Sequence, residues 1–193
     1  MKNTKLSGPA VFMYTSIAVM TLLSAVMLAL YYGGITDSGI VRWTGIVSFM
    51  ILYHFGMRIL MGEVNKLWKI SYKSAFFRPL KFEKRLYSLL RVRLWRDKVL
   101  TFRPDEFLMS KNTLDDIANT MAKVEVDHWV NEIISVSAIF FSLLWGAFPI
   151  FLVSSAVAML FDAQFIALQR FNRPHVVRLI EAKERKSRTR IAI

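Results

Sequence analysis

Four runs of about twenty residues, almost empty of charge, divide this chain, and each is long enough to cross a bilayer as a helix. They cover residues 9–32, 40–61, 126–144 and 150–171. Such runs leave few options. In hydrocarbon every backbone N–H and C=O must find its partner within the protein, which only helices and closed barrels achieve. About 20 apolar residues at 1.5 Å rise cover the roughly 30 Å of hydrocarbon, so these runs read as helices. The expected fold class is all-α: a polytopic membrane protein, a four-helix transmembrane bundle forming a single integral membrane domain over residues 1–193. Gly33-Gly34 and Asp37-Ser38-Gly39 read as one turn, and Trp145-Gly146-Ala147-Phe148-Pro149 as another. Asn172-Arg173-Pro174 is expected to end the fourth span, because a residue before proline avoids helical geometry. The first run exceeds a signal-peptide core and lacks a clear small-x-small site before Tyr31-Tyr32, so it reads as a retained span.

Charge then orients the spans. The chain is 54% apolar yet carries a formal net charge of +12. Lys2 and Lys5 precede the first span, fourteen Lys and Arg lie between Glu63 and Val124, and eight more lie from Arg170 onward. The two turns between spans hold none. By the positive-inside rule, the expectation is a multi-pass protein of the cell membrane with both termini and the 63–124 segment in the cytoplasm. Tyr31, Tyr32, Trp43 and Trp145 then fall at the outer interface, and Trp68 and Trp129 at the inner one, as aromatic belts should. A basic chain also invites a nucleic-acid reading, but that leaves the apolar runs unexplained, so no nucleic-acid partner is expected. Cysteine is absent, which excludes disulfides, thiolate nucleophiles and zinc-thiolate sites.

Residues 63–124 interleave aromatic and aliphatic side chains with Lys and Arg, as in Phe76-Phe77, Leu86-Tyr87 and Leu94-Trp95. This pattern suits amphipathic helices lying on the inner leaflet, where anionic membrane lipids attract basic residues by about 1 kcal/mol each. Thr113 with Asp116 has the spacing of a capping box. The helix it opens is expected to run into the third span, placing Glu125 and His128 at the membrane entry. Residues 172–193 form a basic cytoplasmic tail.

Ionisable groups in a span are costly and call for a reason. Glu125, His128 and Glu132 share a helix face by spacing, as do Asp162, Gln169 and Arg173, and His54 with Arg58. The simplest packing turns these three faces toward one wet pocket. A carboxylate near His128 can hold its tautomer and stabilise its cation, as a general base requires, and Glu125 lies one turn away. The same pair at that spacing also suits two metal ligands, but no further ligands accompany it, and no metal is expected. Arg58 and Arg173 equally suit snorkelling to headgroups, and Glu132 and Asp162 suit structural pairing with Arg58.

Three stretches carry a resemblance. They are Tyr72-Lys73-Ser74 through Arg93-Leu94-Trp95-Arg96-Asp97-Lys98; Lys123-Val124-Glu125-Val126-Asp127-His128-Trp129; and Asp162 followed by Gln169-Arg170-Phe171-Asn172-Arg173-Pro174. Together, in order and spacing, the region from Trp68 to Leu179 resembles the glycosyl-diaponeurosporenoate acyltransferase family, which completes staphyloxanthin-type carotenoid pigments. Arg96 stands where that family often has Lys, and Asp162 where a neutral amide is commoner. The resemblance implies transfer of a fatty acyl group to a hydroxyl of a lipid-linked sugar acceptor, a carotenoid glycoside or related glycolipid. It implies acyl-CoA or another acyl donor as co-substrate, with no bound cofactor. In that reading His128 is the general base and Glu125 orients it. Arg93, Arg170 and Arg173 bind donor phosphates or the oxyanion, and Gln169 and Asn172 position substrate, with Trp95, Lys98 and Asp162 lining the site. The alternative is a non-enzymatic membrane protein whose basic face binds anionic lipid or a partner protein. An oligomer stays open.

Overall fold

The computed structural model describes residues 6–191, with side chains as far as Thr189. Lys2 and Lys5, part of the orienting charge, lie outside the described residues. The helices are α1 (Gly8–Tyr32), α2 (Gly39–Val64), α3 (Glu83–Leu89), α4 (Val92–Trp95), α5 (Leu114–Ser137), α6 (Ser142–Trp145) and α7 (Phe148–Ile191), with 3-10 turns between several of them. No strand occurs among the described residues. Four helical stretches have the length and apolarity to cross a membrane: Gly8–Tyr32, Gly39–Leu67, Leu114–Trp145 and Phe148–Thr189. Their outward faces carry large apolar side chains such as Leu22, Leu143 and Leu160, all more than two-thirds exposed. In water these faces would be a strong aggregation liability, whereas lipid is their natural solvent. The chain is a polytopic all-α membrane protein.

Two compact units divide it. The first comprises the residues up to Val64 together with Val130–Phe161; the second comprises Asn65–Trp129 and the residues from Asp162 onward. In the first unit α1 and α2 form a hairpin through Gly34, whose φ of 72° suits a residue without Cβ. The helices meet closely at Gly45, where a Cβ would lie 2.7 Å from the Leu28 side chain. Ser24 donates to the Gly45 carbonyl at the same crossing. Ile46, Met50, Ala138 and Phe151 form the buried core, ringed by Leu28, Phe49, Tyr53, Phe141 and Trp145. The costly charges of α2 have partners here. Arg42 donates to the Trp145 carbonyl. Arg58 donates to the carbonyls of His54 and Ala158 and lies over the Phe161 ring.

In the second unit the Thr113–Asp116 capping box forms as its spacing predicts. The Asp116 amide donates to Thr113 Oγ1 at 3.2 Å, and the Thr113 amide donates to the Asp116 carboxylate at 3.1 Å. The helix it opens, α5, runs past Glu125 and His128 without a break. The preceding segment is less regular than its amphipathic pattern predicts. Between Leu67 and Leu114 only short helices form, α3 with seven residues and α4 with four. Few of its apolar residues are buried; Phe77, Tyr87 and Val92 are the anchors.

One expectation is corrected. The fourth span does not stop at Asn172-Arg173-Pro174, since α7 continues through Pro174 to Ile191. An interior proline removes a backbone donor and crowds the carbonyl four residues earlier, costing about 3 kcal/mol. Here the side chains of Arg170 and Arg173, just before the proline, are gripped by several partners. That grip holds the helical turn that local preference alone would end.

Candidate active site

Most of the charged and polar side chains buried in the second unit lie on one face each of α5 and α7. On α5 the buried positions are Ile117, Ala118, Met121, Ala122 and Glu125, a repeat of three to four residues. On α7 they are Asp162, Ile166, Gln169, Arg170, Arg173 and Ile180. Side-chain pairs show that the helices run antiparallel. Glu125 meets Arg170 and Arg173, while the later α5 residue His128 meets the earlier α7 residue Asp162.

Glu125 has no solvent exposure at all. One of its oxygens accepts from Arg170 Nη1 at 2.6 Å, and the other accepts from Arg173 Nη1. Arg170 is shared with Glu83 of α3, which accepts from Nε at 2.7 Å. The remaining donors reach the backbone. Arg170 donates to the carbonyls of Phe76 and Arg78, and Arg173 to that of Phe77, whose ring lies 4.8 Å below the Arg173 guanidinium. Two carboxylates and two guanidiniums thus form a neutral, buried cage. Such a group resists loss of any one member, because the survivor is left as an uncompensated charge. The cage also straps residues 76–83 onto α7. Tyr87 packs edge-on against Phe171 beside it, and burial with the charge of Glu83 pushes its phenol up to about 12.

His128 sits one turn along α5. Its Nδ1 lies 2.7 Å from Asp162 Oδ1, and the Asp162 carboxylate is wholly buried. The imidazole stacks on Phe165, with ring centroids 4.5 Å apart and planes 4° from parallel. Asp162 and Phe165 are one turn apart on α7, so a single helix face holds the ring by its edge and by its plane. The His128 side chain keeps 16% of its exposure. Its Nε2 carries no hydrogen bond among the described residues. A ring fixed at Nδ1 by a carboxylate, with Nε2 open, is arranged to take a proton at Nε2 and hold the resulting cation.

This geometry corrects the expected partner of His128. The carboxylate at its Nδ1 is Asp162; Glu125 is engaged with two arginines. Glu125 and His128 are near neighbours on one helix, but each reaches outward, and the opposing helix decides what it meets. The departure at Asp162, a charge where an amide is commoner, therefore lies against the imidazole.

The other sequence-predicted residues divide. Gln169, Arg170 and Arg173 are buried on the α7 face, and Asn172 is half-buried. Arg93 and Lys98 are exposed, and Trp95 donates its indole N–H to the Leu90 carbonyl at 3.0 Å. No hydrogen bond or ion pair joins these three to His128 or Asp162 among the described residues. His54, Arg58 and Glu132 belong to the first unit. No group of three or more His, Cys, Asp or Glu converges on a metal geometry among the described residues. Three participants were missed in the sequence. Glu83 stands in a stretch that carries the resemblance, yet nothing local marks it as buried. Phe165 could have been found, since it shares the Asp162 face by spacing. Asn65, fully buried, donates to the Asp127 carboxylate and the Lys123 carbonyl, and no sequence pattern announces that.

No curated protein and no solved structure matches the chain. A family model described as glycosyl-4,4'-diaponeurosporenoate acyltransferase matches residues 73–182. That stretch is more than half the chain, and it contains Glu83, Glu125, His128, Asp162, Arg170 and Arg173. The charged cage and the imidazole with its carboxylate thus lie inside the matched region, and the chain belongs to the glycosyl-4,4'-diaponeurosporenoate acyltransferase family, a family of enzymes that transfer acyl groups.

Proposed function

We propose that this enzyme moves a fatty acyl group from an activated donor, such as acyl-CoA, onto a sugar hydroxyl of a glycosylated lipid, with His128 as general base and Asp162 as the residue that orients it. The observation that carries this reading is the His128 Nδ1 contact with the buried Asp162 carboxylate, with Nε2 left open. The acceptor hydroxyl gives its proton to His128 Nε2 as its oxygen attacks the acyl carbonyl carbon. Asp162 keeps the Nδ1 proton in place and stabilises the imidazolium. Collapse of the tetrahedral intermediate breaks the bond to the donor's leaving group, a thiolate if the donor is acyl-CoA, and His128 returns the proton to it. Direct transfer needs no acyl-enzyme, consistent with the absence of cysteine. Arg170 and Arg173, engaged with Glu83 and Glu125, act by holding α5 against α7. Arg93, Lys98 and Asn172 are the more accessible groups for contacts to substrate. Both termini and the basic 63–124 segment face the cytoplasm of the cell membrane, where a water-soluble acyl donor meets the lipid acceptor.

The test is an assay in membranes containing a glycosylated lipid acceptor and a radiolabelled acyl donor. His128→Ala should reduce incorporation by roughly 10²–10⁴-fold, the usual contribution of general acid–base catalysis, while the variant inserts and purifies as the wild type does. Wild-type turnover by the variant would refute the assignment.

A further inference from the structure

Arg170 and Arg173 are bound to protein groups, whereas Lys69 and Lys123 of the second unit are held in no ion pair among the described residues, although Lys123 lies within electrostatic reach of Asp127. Trp68, Lys69 and Ser71 form one wall of an open groove of about 450 Å³, and Asn119, Thr120 and Lys123 of α5 form the other. The α5 members recur at the three- and four-residue spacing of one helix face. Neither Lys69 nor Lys123 makes an ion pair among the described residues. Two nearby carboxylates already accept hydrogen bonds. Asp116, which also lines the groove, accepts from both the amide and the hydroxyl of Thr113. Asp115 accepts from the Tyr72 hydroxyl at 2.9 Å. Burial, this hydrogen bond and the charges of Asp115, Glu184 and Glu181 push the Tyr72 phenol up to about 12, so it stays neutral beside the groove. The Asn119 carbonyl oxygen accepts from the Tyr72 amide. The groove therefore offers two ammonium groups, an indole and two hydroxyls, while the carboxylate that lines it, Asp116, is turned to Thr113. That is the complement of a phosphate.

Its place in the chain points the same way. Trp68 directly follows the membrane-spanning stretch Gly39–Leu67, and the α5 wall lies in the first turns of Leu114–Trp145. Both walls are at the ends of spans, the level at which a bilayer carries its phosphates. Lys123 and His128 are five residues apart on one helix, about 7.5 Å along its axis at 1.5 Å per residue.

We infer that this groove binds the phosphate of an amphiphile, with Lys69 and Lys123 as the charged contacts and Trp68 packed against the adjoining carbon chain. The phosphate belongs either to the acyl donor or to an anionic phospholipid, and the experiment separates them. Detergent-purified full-length protein would be titrated with a fluorescent acyl-CoA and, separately, with dioctanoyl phosphatidylglycerol. The Lys69→Gln/Lys123→Gln double variant should lose tenfold or more in affinity for one probe, because two charged contacts and their hydrogen bonds are lost together. Loss confined to acyl-CoA assigns the groove to the donor; loss confined to phosphatidylglycerol assigns it to lipid. As a control, Lys81→Gln/Lys84→Gln removes equal charge from exposed positions outside the groove and should leave both affinities within about twofold, because exposed charges at a distance are screened. Unchanged binding of both probes by the groove variant, or equal losses in the control, would overturn the inference. The readout is binding, so it stands or falls independently of the role given to His128.

Discussion

At the scale of residues, the account rests on which carboxylate serves which cation. Asp162 serves His128, and Glu125 serves Arg170 and Arg173. The two carboxylates should therefore fail differently. Asp162→Asn keeps the side-chain shape but removes the charge that stabilises the imidazolium and fixes its tautomer. We expect it to lower kcat by about 10²-fold or more, with the protein still inserted and monodisperse, as measured by acyl incorporation beside size-exclusion chromatography. Glu125→Ala removes the centre of the buried cage and leaves two guanidiniums facing each other. It should destabilise the protein by about 3–5 kcal/mol, read as a lower midpoint in denaturant titration of the detergent-solubilised protein. Much of this site is legible in the sequence. His128, Glu125, Asp162, Gln169 and Arg173 are marked by their cost near or in an apolar span and by shared helix faces, and Arg170 by the family resemblance alone. Their pairing is not legible, because helical spacing places residues on a face without naming the residue across from it. The long arginine side chains widen that ambiguity, since Arg170 and Arg173 both reach Glu125.

At the scale of elements, the long helices follow from hydrophobic runs, and the start of α5 follows from Thr113 and Asp116. The break between α1 and α2 follows from Gly33-Gly34. The segment from Leu67 to Leu114 does not follow from its pattern. Its structure is fixed by a few anchors and by backbone carbonyls of Phe76, Phe77 and Arg78 that accept from α7 arginines. Carbonyl acceptors leave no side-chain periodicity to read. The continuation of α7 through Pro174 is illegible for the same reason: the grip on Arg170 and Arg173 comes from other elements. It also predicts that Pro174→Ala, restoring a backbone donor without touching the cage, raises stability by about 1–3 kcal/mol, seen as a higher unfolding midpoint with activity retained. An unchanged or lower midpoint would mean that the proline is accommodated without strain.

At the scale of the whole molecule, the proposed topology has both termini on one side of four membrane crossings, and the positive-inside rule assigns that side to the cytoplasm. The absence of cysteine makes this simple to check. A single cysteine introduced as Ser38→Cys, in the turn after α1, should react with a membrane-impermeant maleimide in intact cells. One introduced as Ser187→Cys, near the end of α7, should react only after permeabilisation. The reverse pattern would invert the orientation and remove a cytoplasmic acyl donor from reach of the site. The central claim, that His128 with Asp162 acylates a glycosylated lipid, is tested most directly by lipid mass spectrometry of cells that supply such lipids and express either the wild type or His128→Ala. The account predicts a glycolipid heavier by one fatty acyl unit with the wild type and its absence with the variant. Identical lipid profiles from the two, with both proteins present in the membrane, would contradict it.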